Sequence, residues 1–239
     1  MRGNNSEIIR GKIEDFCISM SEKHKRIPRV LCAILIMLFL YMPVVSWAQQ
    51  HVVILSGQSN MARLDYTLIM APMLDAEFGA GAVEIIKVAA PSMPISQWIS
   101  DTRPMYLDIL QQFNQLDASN LESITFVWLQ GETDALRQSI SYQADLTQLI
   151  QQVQQDISPY TNFVICRIND YQWRSPYWQL VRDAQVEIAE ALPNGTWINT
   201  DDLNNYAGFN LLHNTPCGSQ ILANRIGDLA IHLIGQDDG

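Results

Sequence analysis

The chain has 239 residues, 48% of them apolar, with 15 Lys and Arg against 25 Asp and Glu and a net charge of −10 at pH 7. That length fits one sizeable α/β domain or at most two small ones, and so acidic a balance argues against nucleic acid or anionic membrane as a partner, since both need a basic footprint. Four cysteines, two of them in the first 48 residues, do not make a disulfide framework, although Cys166 and Cys217 fall where one bond between them could form.

The first 48 residues do not read as folded protein. Lys23, Lys25, Arg26 and Arg29 precede an unbroken apolar run, Val30 to Val45, which closes at Ser46-Trp47-Ala48. A basic segment, an apolar segment and small residues before a cut describe a secretory signal peptide, so cleavage after Ala48 and export to the periplasm or medium are expected. The competing reading is an uncleaved anchor, because the run falls just short of the roughly 18 to 20 residues that span a bilayer; no stable insertion is expected once the leader is cut. Met20 is an alternative start, and no Cys follows the cut to carry a lipid. Seven basic and four acidic residues lie in 1–48, so the expected domain, 49–239, keeps 8 basic and 21 acidic residues and a net charge of −13. A neutral or small substrate suits such a surface.

The domain opens on the apolar run His51 to Leu55, which stops at Ser56-Gly57-Gln58-Ser59-Asn60-Met61. An apolar, β-branched run ending at a glycine turn predicts a buried strand. Val83 to Ala89 predicts a second strand, and Ala90 to Trp98, with Pro91 and Pro94, a loop at its carboxyl end. A helix over 105–116 leads to a third strand, Ser123 to Leu129, which runs into Gln130-Gly131-Glu132-Thr133-Asp134. Leu146, Leu149, Ile150, Val153 and Ile157 then form the stripe of an amphipathic helix within 135–156. A fourth strand over 162–168 is followed by the aromatic loop 169–175, a helix over 177–192 that stops at Pro193-Asn194-Gly195, a fifth strand over 196–199, and a last helix over 218–234. Strands alternating with helices imply a mostly parallel sheet of about five strands covered on both faces, with the ligand site outside the carboxyl ends of the strands. The polar clusters Gly57 to Asn60, Ser92 to Trp98, Gln130 to Asp134, Asn169 to Trp173 and Asp201 to His213 all fall at that end.

Two readings of Ser59 compete: a cap of the next helix, or a nucleophile. A serine hydroxyl needs a base, and histidine is the usual one near neutral pH. His51 starts a strand at the opposite end of the sheet and His232 lies late in the last helix, which leaves His213.

Gly57-Gln58-Ser59-Asn60-Met61, the block Trp128 to Ala135 and the late Asn210-Leu211-Leu212-His213 together resemble the SGNH-hydrolase superfamily. The similarity is to its carbohydrate-esterase branch, typified by sialic-acid-specific acetylesterases and plant-type acetyl xylan esterases, and it covers residues 51–234 in the right block order. The resemblance implies a flavodoxin-like, three-layer α/β/α sandwich that hydrolyses O-acetyl esters on carbohydrate without a metal or other cofactor. It makes Ser59 the nucleophile, His213 the general base, and the N–H groups of Ser59 and Ser92 oxyanion donors, with Gln130 in a supporting oxyanion role. Gln58, Asn60, Trp98, Tyr171 and Trp173 are candidate substrate-binding residues, the three aromatic rings as platforms for a sugar.

The chain departs from the family pattern in three places. Pro91-Ser92 stands where two glycines are usual, Leu129 where a His precedes the Gln, and Asn210 where the motif has Asp. An Asn carbonyl can orient an imidazole but lacks the charge that stabilises an imidazolium. The site then runs as a Ser–His dyad with Asn210 orienting the ring, recruits Asp201 or Asp202 as the acid, or is impaired. Glu132 and Asp134 could suggest a glycosidase carboxylate pair, but two residues apart on a turn they more simply hold loop N–H groups and cap the following helix. Rival functions are a broader lipase or aryl-esterase, and a sugar-binding protein on a decayed esterase scaffold. The glycan and the oligomeric state are not encoded legibly.

Overall fold

The computed structural model describes residues 51–117 and 120–237; the expected leader, 1–48, lies outside the described residues. The elements run in the order β1 (His51–Gly57), α1 (Ser59–Arg63), α2 (Met70–Phe78), β2 (Val83–Ala89), α3 (Ser96–Ile99), α4 (Pro104–Phe113), β3 (Ser123–Leu129), α5 (Glu132–Leu136), α6 (Tyr142–Asp156), β4 (Asn162–Cys166), α7 (Pro176–Ala191), β5 (Gly195–Ile198), a two-stranded ribbon of β6 (Asn205–Tyr206) and β7 (Phe209–Asn210), and α8 (Pro216–Asp237).

β1 to β5 form one parallel sheet in the order β2-β1-β3-β4-β5, flavodoxin-like as expected. β1 and β3 are buried along their whole length, which is why they read as continuous apolar runs rather than as alternating ones. The period-two side-chain direction sends Val52, Ile54, Phe126, Trp128, Phe163 and Ile165 into a core under α4, α6 and α7, where Tyr106, Ile109, Leu149, Val153, Trp178 and Val181 meet them. Val53, Leu55, Val127, Leu129 and Val164 point the other way, against Met61, Met70, Leu74, Leu222, Ile226 and Ala230 of α1, α2 and α8. Three layers result, because each sheet face is closed by helices carrying one apolar stripe.

The helix expected over 135–156 is two helices. Gln138 adopts a left-handed φ of 60° and ends α5, and α6 starts at Tyr142. The ribbon of β6 and β7 was not expected; Ala207 and Gly208 turn it with φ of 51° and 85°, the pattern of a two-residue turn with both central residues at positive φ. Among the described helices none is long and apolar enough to cross a membrane. Cys166 is buried in β4 and Cys217 is exposed at the start of α8, and both are free thiols, so the bond weighed from the sequence is not formed.

Candidate active site

All five strands of the sheet are parallel, so the segments after Gly57, Ala89, Leu129, Cys166 and Ile198 leave it at one edge. The turn after β1 is the tightest. Gly57 has φ 151°, and a Cβ there would stand 2.0 Å from the Leu129 carbonyl oxygen, so the residue must be glycine. Gln58 N–H donates to that same Leu129 oxygen at 3.0 Å, and the Gln58 side-chain oxygen accepts from Thr133 N–H at 3.2 Å. β1 thereby hands its chain to α1 with Ser59 as the first helical residue, where a backbone N–H has no partner inside the helix.

His213 Nε2 lies 3.1 Å from Ser59 Oγ, across 154 residues of sequence. Burial, and secondarily the positive charge of Arg63, hold the His213 pKa below its usual value. The ring is therefore neutral at pH 7, the form in which Nε2 can accept a proton.

His213 is held from its flanks. Leu211 N–H donates to the Asn204 carbonyl at 2.9 Å, and the Asn204 amide donates to Leu211 C=O at 2.7 Å. Leu212 C=O accepts from Asn169 at 3.2 Å and from Asn60 at 3.3 Å, while Asn214 N–H donates to the Asn60 side-chain oxygen at 3.0 Å. The other Asn60 hydrogen goes to Glu132 Oε1 at 2.7 Å. Glu132 is 1% exposed and burial pushes its pKa up to about 7. No carboxylate among the described residues bonds to or pairs with His213.

Several assignments made from the sequence change here. Asn210 does not orient the imidazole: its amide nitrogen donates to Asp170 Oδ2 at 2.7 Å and its oxygen accepts from Asn205 at 3.0 Å, so both ends of the side chain are engaged elsewhere. Asp201 is gripped by Arg182 at 2.7 Å and Arg167 at 2.8 Å, and Asp202 by Arg225 at 2.6 Å, which leaves neither as the missing acid. Gln130 is a strut rather than an oxyanion donor, because its two amide hydrogens go to Met93 C=O at 3.1 Å and to the Asp134 carboxylate. Asp134 also accepts from Ile95 N–H at 3.0 Å and so fixes the loop after β2, the loop-holding role expected of it. Glu132 instead serves Asn60.

Asn60 spends its whole side-chain amide on the protein and Gln58 its side-chain oxygen, and both residues are almost fully buried. Trp98 is fully buried; its ring packs edge-on to Trp128 at 5.0 Å and its Nε1–H donates to Ser56 Oγ at 2.9 Å, which makes it a core residue and removes it as a sugar platform. Tyr171 and Trp173 are 39% and 56% exposed, and their loop follows Asn169, which holds the residue before His213. Arg174 lies over the Trp173 ring at 4.6 Å.

Ser92 is exposed and adopts φ 60°, a left-handed conformation suited to glycine, at a steric cost of roughly 1–2 kcal/mol for a residue with a Cβ. The backbone shape that a glycine would give is retained although the glycine is not. Pairing of Gly57 with Ala89, and the bond from Ala90 N–H to Gly57 C=O at 3.2 Å, bring this loop beside the Ser59 turn.

Sequence reading passed over Asp170, Arg63 and the Asn60–Glu132 pair. Arg63 had a findable signal, its i+4 spacing from Ser59 on one helix face; the others connect segments far apart in the chain and had none. A depression of about 700 Å³ lies off the carboxyl end of β5, lined by Trp197, Asn199, Asp201, Asp202 and Arg225. Asp201 and Asp202 there are already paired with arginines and Asp228 accepts from Asn224, and the lining holds no hydroxyl set on a base.

A profile of the family described as carbohydrate esterase, sialic acid-specific acetylesterase, matches residues 66–232, a span that begins just after the Ser59 turn. No curated protein sequence matches the chain. Among solved structures, a protein of Arabidopsis thaliana superposes with a TM-score of 0.61 at 16% identity, over 77% of this chain and 98% of that one. A carbohydrate acetylesterase from Xanthomonas citri gives 0.60 at 15% identity, over 78% of this chain and 56% of that one, so this chain spans little more than half its length. An acetylxylan esterase from Geobacillus stearothermophilus, solved as a catalytic mutant, gives 0.52 at 13% identity, over 79% and 95%. At such identities these structures show a shared fold.

Proposed function

The chain belongs to the carbohydrate esterase family of sialic acid-specific acetylesterases, and from that premise we propose that it removes O-acetyl groups from carbohydrate by a Ser59–His213 mechanism. The observation that carries the reading is the 3.1 Å contact between Ser59 Oγ and a His213 ring kept neutral by partial burial and by Arg63.

In the reaction, Ser59 Oγ attacks the acetyl carbonyl carbon while His213 Nε2 takes the hydroxyl proton. The carbonyl oxygen becomes an oxyanion beside the first turn of α1, where Ser59 N–H is unpaired by helix geometry, and beside the left-handed turn that presents Ser92 N–H. Collapse expels the sugar oxygen, which leaves with the proton from His213. Water, deprotonated by the same nitrogen, then hydrolyses the acetyl-serine to acetate and resets the site. With no carboxylate among the described residues behind the imidazole, the imidazolium phase relies on geometry rather than on a paired charge, which suits an activated ester better than an amide.

Tyr171 and Trp173 support a sugar ring at the rim of this site. Delivery of the domain outside the cytoplasm by the leader over 1–48 is part of the same reading, supported by the basic and apolar pattern of its sequence. The decisive experiment is acetate release from acetylated sialic acid and acetylated xylo-oligosaccharide by the purified 49–239 protein and its Ser59→Ala form. A drop of about 1,000-fold or more is expected; equal rates refute the mechanism, and a preference for long acyl chains replaces the deacetylase reading with a lipase.

A further inference from the structure

The unexplained feature of the site is a buried carboxylate that touches neither the nucleophile nor the base. Glu132, 1% exposed, has one oxygen on Asn60 at 2.7 Å and leaves the other, Oε2, buried with no hydrogen-bond partner. A buried carboxyl with one unsatisfied oxygen costs stability in itself, so packing does not account for it. What it does touch is informative. The orientation of the Asn60 amide is set by backbone groups that cannot be exchanged: its oxygen faces the Asn214 N–H and its nitrogen faces the Leu212 C=O. Those two groups belong to the residues on either side of His213. Glu132, accepting the remaining Asn60 hydrogen, makes a flipped amide repulsive, since the amide oxygen would then face a carboxylate and a carbonyl. Asn60 also directly follows Ser59, so nucleophile and base are referenced to one rigid amide.

We propose that Asn60 and Glu132 are positioning residues for the general base, a pair that fixes the His213 backbone onto Ser59 in place of an acid, which no described residue sets against the imidazole. The inference rests on the Ser59–His213 reading and adds to it how the ring is aimed. The pair acts on the main chain around the histidine, whereas the missing acid would act on the ring nitrogen.

The test compares kcat, KM and the rate of fluorophosphonate labelling at Ser59, with 4-nitrophenyl acetate as the probe substrate. Asn60→Ala is expected to lower kcat and the labelling rate in parallel by about 100-fold, the scale of an ångström-sized misplacement, with KM changed by less than about threefold. Glu132→Ala is expected to lower both by on the order of tenfold, and Glu132→Gln, which keeps an acceptor for the Asn60 amide, to recover most of that loss. Thermal unfolding is followed in parallel, and should Asn60→Ala fail to fold, the two Glu132 variants carry the decision. Full labelling rates in Glu132→Ala, or losses that appear in KM or melting temperature alone, overturn the proposal. Ser59→Ala and His213→Ala run as controls: if they retain activity it is the Ser–His reading that fails, and if they are inactive while the Asn60 and Glu132 variants behave as wild type, only this inference fails.

Discussion

Ser59 and His213 are 3.1 Å apart but are mounted on different kinds of support. Ser59 leaves an interior strand that is buried from end to end, through a glycine whose neighbours admit no Cβ, and its register is fixed by backbone pairing with β2 and β3. His213 sits on a half-buried loop between a small ribbon and α8, held by the side-chain amides of Asn60, Asn169 and Asn204. Ser59 is placed by the sheet and His213 by side chains. Damage on the first side should therefore appear as lost stability, and damage on the second as lost turnover.

The largest expected effect breaks the rigid side. Gly57→Ala drives a methyl group into the Leu129 carbonyl and is expected to cost on the order of 3 kcal/mol or more, read by urea denaturation; a loss under about 1 kcal/mol would show that the turn can move. On the compliant side, Asn204→Ala removes a bond to Leu211 C=O from a fully buried residue and should cost about 1–2 kcal/mol. Its signature is a fall in kcat out of proportion to that stability loss, and an unchanged kcat would remove Asn204 from the support of His213.

Glu132 lies where the two sides meet, and pH separates its effects. Its folded pKa of about 7 exceeds the ordinary 4.5, so the native state binds the proton more tightly and stability falls as pH rises from about 4.5 to about 7. Glu132→Gln should then unfold at a higher temperature than wild type at pH 8 and at nearly the same temperature at pH 4.5. A gain confined to low pH would reverse the assigned sign. A subtler change concerns Arg63, which depresses the His213 pKa after burial does. In Arg63→Gln the acid limb of kcat/KM should move upward toward the ordinary histidine value; a downward move would contradict the geometry.

The smallest effect expected is from Asn210→Asp, the change that writes the family's usual acid back into the motif. Asn210 faces the Asp170 carboxylate at 2.7 Å, so an aspartate there opposes a like charge instead of reaching the imidazole. No gain in kcat is expected, and a tenfold gain would mean that the ribbon swings toward His213.

Strand positions were legible from apolar, β-branched stretches: β3, buried throughout, and β2, a half-buried edge strand, both begin and end where the sequence places them. The break between α5 and α6 was hidden, since Gln138 is an ordinary helix former that here takes a left-handed turn. The ribbon was hidden by Ala207-Gly208, which lacks the Asn-Gly signal of such turns. Ser59 and His213 could be named from motif and elimination, whereas their supports could not. Asn60 to Leu212 and Asn214, Asn169 to Leu212 and Asn210 to Asp170 are all long-range bonds, and nothing local in any of these residues announces its partner. Trp98, in the short helix α3, failed as a sugar platform for a related reason: an aromatic between strands looks the same in sequence whether it faces solvent or the core.

The 154 residues between Ser59 and His213 also set a timetable. Ser59 emerges with the first strand of the sheet, and His213 arrives only after every strand of the sheet. Closing so long a loop comes late in folding, once shorter-range contacts have formed. Reactivity at Ser59 should thus switch on with the final docking event, which makes a serine-directed covalent probe a clock for the completion of this fold.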